Sequence, residues 1–203
     1  CLGYMMGSYL IGFKTGLYPQ LFCVLFGFTL SFAFALIGSA WLIMKTEGAL
    51  QLKSISWAKV SLRKMLVAVA IIAVASPHVS AHVQKVWTAL PNAYFLATLP
   101  VLILAMAIKM EMTFPKLTKR PHVSCWRPFA LTVGIFMVGM VAVAYSFYPY
   151  IVPGQLKIVE AASAPESLMF ILVGALIVLP ILIGYTFFAY KIFHGKTNEL
   201  TYN

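Results

Sequence analysis

No charged residue lies between Lys14 and Lys45, and most of residues 17–44 within this interval are apolar. A helix that crosses the hydrocarbon core of a bilayer needs about 20 mostly apolar residues. In a water-soluble protein such a segment would have to be covered by protein on every side, whereas in a membrane it is surrounded by lipid. We therefore predict that residues 17–44 form a membrane-spanning helix.

The composition of the whole chain also indicates a membrane protein. Hydrophobic residues make up 62% of the 203 residues and charged residues 10%, against roughly 45–50% and about 25% in soluble globular proteins. So small a polar fraction cannot cover the surface of a water-soluble domain of this size. The predicted fold is an all-α, polytopic transmembrane helical bundle that forms a single membrane domain over residues 1–203.

Further apolar segments set the number of crossings at about five. The second of them carries Pro77, His78 and His82 toward its end, and the third contains Pro100. The apolar stretch 1–13 is rich in Gly and Tyr, and the sequence leaves open whether it is the end of a helix or a surface loop. The predicted spans lie near residues 17–44, 65–83, 93–110, 129–148 and 168–190.

The distribution of Lys and Arg predicts the orientation of these spans. Basic residues cluster after the first and third spans and in the tail. The connection after the second span holds only Lys85, and the one after the fourth sets Lys157 against Glu160 and Glu166. Because basic connections of membrane proteins lie inside the cell, we expect a cytoplasmic C-terminus. This topology accounts for the net charge of +10, so we expect no nucleic acid among the partners.

The end of the first span carries residues typical of a membrane interface. Trp41 is an aromatic residue of the kind that lies at headgroup level, and Lys45 complements the negative end of a helix dipole. Glu47 follows in the polar connection, and Gly48 can adopt the left-handed conformation that ends a helix. We predict that Trp41, Lys45 and Glu47 anchor the cytoplasmic edge.

Small residues recur at every fourth position of the first span. Such a stripe lets helix backbones approach closely inside lipid. Two alternatives remain open: the stripe packs against another helix of this chain, or it contacts a separate subunit. The residues of this predicted partner interface are Gly27, Ser31, Ala35 and Ser39.

The sequence offers few groups that could carry chemistry. We expect no titratable residue near the middle of a span, and therefore no proton relay built wholly from this chain. His78 and His82, spaced i and i+4, are the best metal-ligand candidates, but no Asp, Glu or Cys nearby completes a ligand set. The three cysteines form no metal-binding spacing. We predict no catalytic, cofactor-binding or metal site.

Several blocks of the sequence resemble one known family. The most specific is GSAWLIMKTEG at residues 38–48, which closes the first span. The others are Ser76–Pro77, Trp87, Pro91–Asn92, YPYIVP at 148–153, EAAS at 160–163, and the ending from Gly174 and Pro180 through GYT at 184–186 to FHGK at 193–196. Together they resemble the C-terminal part of subunit II of cytochrome bd-type quinol oxidases, particularly the cyanide-insensitive branch. His194 stands where an arginine is usual in that family.

The resemblance implies a respiratory oxidase of the bacterial plasma membrane that oxidises ubiquinol and reduces oxygen to water. In that family haems b and d and the quinol site belong to the haem-bearing subunit I, so no cofactor is expected on this chain. This chain is expected to be the non-haem subunit, lying beside subunit I in membrane lipid and supporting its assembly. The polar residues that the family contributes to a proton path lie in N-terminal helices, which this sequence does not include.

Two other functions follow from the residues alone. The chain could be a fragment of a secondary membrane transporter, because Pro77, Pro100 and Pro180 could mark the broken helices that frame a midplane substrate site. It could also be a separate haem protein that uses His78 and His82 as ligands.

Overall fold

The computed structural model describes residues 1–79, 92–119, 125–152 and 156–192. Over these residues it is 88% helical, with seven helices, which confirms the predicted all-α transmembrane bundle. The elements are α1 (Leu2–Leu10), α2 (Leu17–Lys45), α3 (Gly48–Val79), α4 (Asn92–Lys119), α5 (Trp126–Phe147), β1 (Tyr150–Val152), β2 (Leu156–Lys157), α6 (Ile158–Ala161) and α7 (Pro165–Ile192).

Four of these helices are long and apolar enough to cross a membrane. They are α2, α5, α7 and the part of α4 from Leu96 to Thr118, and each overlaps one of the predicted spans. The second predicted span, residues 65–83, begins inside α3 and runs past the end of the described segment at Val79. The opening stretch, for which the sequence left two alternatives, is the helix α1.

Helices α2 and α3 form a long antiparallel hairpin with a very short connection. Helix α2 ends at Lys45, and Gly48 begins α3 with a φ of 66°. The left-handed conformation expected at Gly48 is therefore present, but it turns the chain into the next helix two residues after the cap, Thr46. This turn sets the basic first half of α3 against α2, where the sequence suggested a connection outside the membrane.

The largest cluster of buried side chains joins α2, α3, α4 and α5 near this turn. Its fully buried members include Ile43, Leu62, Met110 and Phe114, and the thiol of Cys125 lies at its edge. Helix α1 packs on the other half of α2, where Gly3 faces Gly27 so closely that a Cβ on Gly3 would lie 2.5 Å from the Gly27 Cα. Gly3 is thus required by a backbone contact, whereas a Cβ on Gly27 would meet the α1 backbone at an ordinary distance of 3.6 Å.

Helix α7 has no buried residue and contacts the rest of the described chain mainly through its last turns. In lipid an apolar helix needs no protein cover, so its exposure agrees with a membrane environment. Ahead of it, β1 and β2 form a small antiparallel hairpin that pairs Tyr150 with Lys157.

Candidate partner interface and basic edge

The predicted edge residues lie around one aromatic contact. The Trp41 ring meets the rings of Phe129 in α5 and Tyr190 in α7 edge-on, at centroid distances of 5.2 Å and 5.8 Å. The Lys45 ammonium lies 5.5 Å from the centroid of the same Trp41 ring, which favours the cation electrostatically. Glu47 is exposed just beyond. Trp41 therefore connects three helices at this end of the bundle, which the sequence did not show.

The four residues of the small-residue stripe do not share one environment. Gly27 lies against α1, as described above, and Ser39 is buried and donates its hydroxyl to the Leu36 carbonyl oxygen at 3.0 Å. Ser31 and Ala35 are exposed, and the Ser31 hydroxyl bonds back to the Gly27 carbonyl oxygen at 3.0 Å. The two ends of the stripe thus pack within the chain, while its middle is open to an external contact. Whether a second subunit occupies that middle remains a prediction.

Charged side chains of α3 make contacts that sequence reasoning missed. Arg63 forms a two-point ion pair with Glu111 of α4, with Nε to Oε1 at 2.8 Å and Nη2 to Oε2 at 3.2 Å. The ammonium of Lys59 lies 5.9 Å from the centroid of the Phe114 ring. The i, i+4 spacing of Lys59 and Arg63 was the available signal, because it places both on one side of a helix.

Lys64 corrects the expectation that no titratable group lies near the middle of a span. Its ammonium is 5.4 Å from the centroid of the Phe32 ring, and Phe32 lies near the centre of α2. The sequence placed Lys64 just before the second span, but the continuous helix α3 carries it alongside the first span. Spacing along one segment could not reveal this, since the depth of Lys64 is set by its neighbour α2.

Comparison with protein-family models gives a match over residues 1–193 to the family described as cytochrome bd terminal oxidase subunit II. The chain belongs to this family. A search of curated proteins gives no match. The membership confirms the resemblance seen in the sequence and makes the chain a multi-pass membrane component of a terminal oxidase complex. The family implies that this oxidoreductase has other subunits. Exposed surfaces of the present subunit are therefore candidates for contact with them.

A haem or a metal ion in this oxidase subunit would need suitable ligand side chains at one place. Among the residues that the structure describes, no three His, Cys, Asp or Glu side chains come together, and the buried Cys23 and Cys125 are not joined in a disulfide. The side chain of His78, together with His82, His122 and His194, lies outside the described residues, so the prediction of no metal or cofactor site stays a prediction.

The Arg63–Glu111 pair gives a testable link between α3 and α4. Reversing one charge, in Arg63→Glu or in Glu111→Arg, should lower the stability of the bundle modestly, because two like charges then replace an ion pair of partly exposed side chains. The double reversal should recover most of that loss, since it restores opposite charges. The midpoint of thermal unfolding in detergent measures both effects.

A second ion pair provides the matched control for this measurement. The Lys157 ammonium lies 4.0 Å from Glu160 Oε1, and both side chains are more than half exposed. Reversing Lys157 should leave the midpoint unchanged within error. A double reversal of Arg63 and Glu111 as unstable as the single ones would show that the two side chains do not act as a pair.

Proposed function

We propose that this chain is the non-haem subunit of a cytochrome bd-type ubiquinol oxidase in the bacterial plasma membrane. The complex oxidises quinol to quinone, and the electrons reduce oxygen to water. Haems b and d, when bound, supply the redox chemistry and are assigned to the haem-bearing subunit I. The role of this chain is to stabilise that subunit laterally and to keep lipid and stray protons away from its haems.

The observation that carries this proposal is the open apolar surface on α2 and α7 in a chain that belongs to an oxidase subunit family. Ser31 and Ala35 are exposed near the middle of α2, and α7 has no buried residue among those described. Small residues at a helix surface permit close approach of another membrane helix. An assembly role needs such a surface and needs no reactive group on this chain.

The basic end of the bundle supports the orientation within this proposal. Lys45 ends α2, Lys53 follows in the second turn of α3, and Lys191 near the end of α7 lies beside the Trp41–Tyr190 contact. An excess of Lys and Arg is typical of the cytoplasmic side. We therefore place this end and the C-terminus in the cytoplasm.

The transporter alternative needs helices that are interrupted at their prolines. In the structure α4 continues through Pro100 and α7 continues through Pro180, and the bounds of α3 include Pro77. Half-helices whose ends point at a midplane substrate are therefore missing at these three prolines. The oxidase subunit remains the better supported function.

Ala35 gives the direct test of the assembly role. A leucine at Ala35 puts a larger side chain at the exposed middle of the stripe. Overpacking of a helix contact in this way costs about 1–3 kcal/mol. We expect Ala35→Leu to lower the haem recovered per molecule of this chain at least about fivefold when the intact oxidase is purified through a tag on it. The absorption spectrum and the subunit composition of the purified material measure this.

The control for this test is Ala49→Leu, because Ala49 is exposed in the first turn of α3, away from the stripe. It should leave haem recovery unchanged. Gly27→Leu is a poorer test, since it also disrupts the contact with α1. Unchanged haem content in the Ala35 variant would exclude this surface as the subunit contact, and a wild-type chain that captures no haem-bearing partner would exclude the proposed function.

A further inference from the structure

The position of Lys64 within the hairpin is fixed from both sides. Toward the turn, the Gln51 amide donates to the Ile43 carbonyl oxygen at 2.9 Å. Toward the other end, Phe22 and Cys23 of α2 pack against residues 72 and 75 of α3. Between these two contacts the ammonium of Lys64 is held beside the Phe32 ring.

This position puts a cation beside the middle of the apolar helix α2. Phe32 is separated from Lys45, the charged end of α2, by about 20 Å of helix at 1.5 Å per residue. A lysine side chain reaches only about 6 Å, so it cannot carry its charge to water from this depth by extending along the helix. The ammonium therefore stays among the apolar side chains near the middle of α2.

A cation at this depth is costly unless it has a counter-ion. A lysine at the centre of a spanning helix is rare for this reason, and a cation–π contact offsets only part of the cost. On the neighbouring helix α4, Glu111 forms an ion pair with Arg63. Glu111, the nearest acidic candidate on α4, is thus already engaged by two donor atoms of Arg63.

The surroundings of Lys64 on its open side are apolar and uncovered. Lys64 itself is exposed, and so are Phe28 and Ala35, which lie one turn on either side of Phe32. On α3 the exposed face beyond Lys64 is apolar as well, with Val67 and Ile71. This uncovered side, beside the middle of α2, is open to a counter-ion from a neighbouring chain.

We propose that the Lys64 ammonium forms an ion pair with a carboxylate of a neighbouring transmembrane subunit that docks on this side of the α2–α3 hairpin. The proposal rests on the proposed function, in which the chain assembles with a haem-bearing subunit. Phospholipid headgroups lie at the membrane surface, outside the hydrocarbon core. The depth of Lys64 therefore favours a protein carboxylate over an anionic lipid.

Replacing Lys64 by methionine distinguishes a paired lysine from one that faces lipid. If the lysine is paired, methionine leaves the partner's carboxylate buried without a counter-ion, and partner recovery falls. If it faces lipid, methionine removes an expensive charge, and recovery stays the same or rises. We expect Lys64→Met to lower the partner recovered per molecule of this chain about tenfold, and Lys64→Glu to lower it further by juxtaposing like charges.

The experiment is a tag purification of the intact oxidase from membranes, normalised to the amount of this chain in the membrane. Lys53→Glu is the matched control, because Lys53 lies three turns earlier on a similar side of α3, at the turn end where water can solvate it. It should leave partner recovery unchanged. Selection for aerobic growth of the Lys64→Glu strain should then yield second-site changes at an Asp or Glu of the partner.

The possible results separate the two proposals. Full partner recovery with Lys64→Met overturns the ion pair but leaves the oxidase function standing. An anionic phospholipid that mass spectrometry finds on the wild-type complex and not on Lys64→Met, with the partner retained, also overturns it and identifies a lipid counter-ion. Absence of any haem-bearing partner on the wild-type chain overturns both.

Discussion

Replacing Phe114 by alanine should lower the free energy of unfolding of the bundle by about 2 kcal/mol. The Phe114 side chain is fully buried at the junction of α2, α3, α4 and α5, with the Lys59 ammonium over its ring. In water-soluble cores this change costs about 3–5 kcal/mol, as the sum of a transfer cost and a cavity cost. Between membrane helices the transfer part largely disappears, because lipid is as apolar as the core.

A cysteine in the same cluster reports on this change. Cys125 is 8% exposed and packs in the cluster that contains Phe114, whereas Cys23 lies in a separate cluster with α1. In detergent, a fluorogenic maleimide should label Cys125 of the Phe114→Ala protein at a lower temperature than in the wild type. Cys23 should keep its wild-type labelling temperature if the loosening is local.

Phe170→Ala is the control for this prediction, because the Phe170 side chain on α7 is 83% exposed. It should change neither labelling temperature. If Phe114→Ala leaves the labelling temperature of Cys125 unchanged, the four helices are held together by contacts other than this core.

Replacing Gly7 by leucine should detach α1 from α2. A Cβ at Gly7 would lie 2.8 Å from the Cα of Cys23, and the Ser8 hydroxyl lies 3.4 Å from the Cys23 sulfur. Backbone atoms cannot yield as a flexible side chain can, so the two helices must move apart, at a cost of about 1–3 kcal/mol. The nine-residue helix α1 is held mainly by its contact with α2, so its displacement from α2 is opposed by little else among the described elements.

The readout mirrors that of the first prediction. Cys23 should become reactive toward the maleimide in the Gly7→Leu protein, while Cys125 remains protected. Gly38→Leu is the matched control, since Gly38 lies in α2 and a Cβ there meets nothing within 4 Å. Equal protection of Cys23 in both variants would show that α1 does not depend on this close approach.

The sequence predicted the membrane helices well because the constraint that defines them is local. Leu17–Lys45 and Pro165–Ile192 lie within a few residues of the predicted spans 17–44 and 168–190. Length and polarity are sufficient there, because the bilayer requires a fixed number of apolar residues whatever the neighbours are. The prediction was poorer for Gly48–Val79, whose basic first half suggested a connection and instead continues the helix.

The candidate site was predicted only in part, for a related reason. The four-residue period of Gly27, Ser31, Ala35 and Ser39 was readable from the sequence, but the packing of its ends within the chain was not. The contact of Trp41 with Tyr190 joins residues far apart along the chain. Neither composition nor spacing contains information on which residues of different helices share a depth.

The sequence by itself determined that this chain is a bundle of membrane helices and, through the GSAWLIMKTEG block, to which oxidase subunit family it belongs. Only the tertiary structure decided that Lys64 lies beside Phe32 and that Arg63 is paired with Glu111. The physical reason is that lipid acts on each segment separately, whereas the depth and partners of a side chain depend on how two helices are packed against each other.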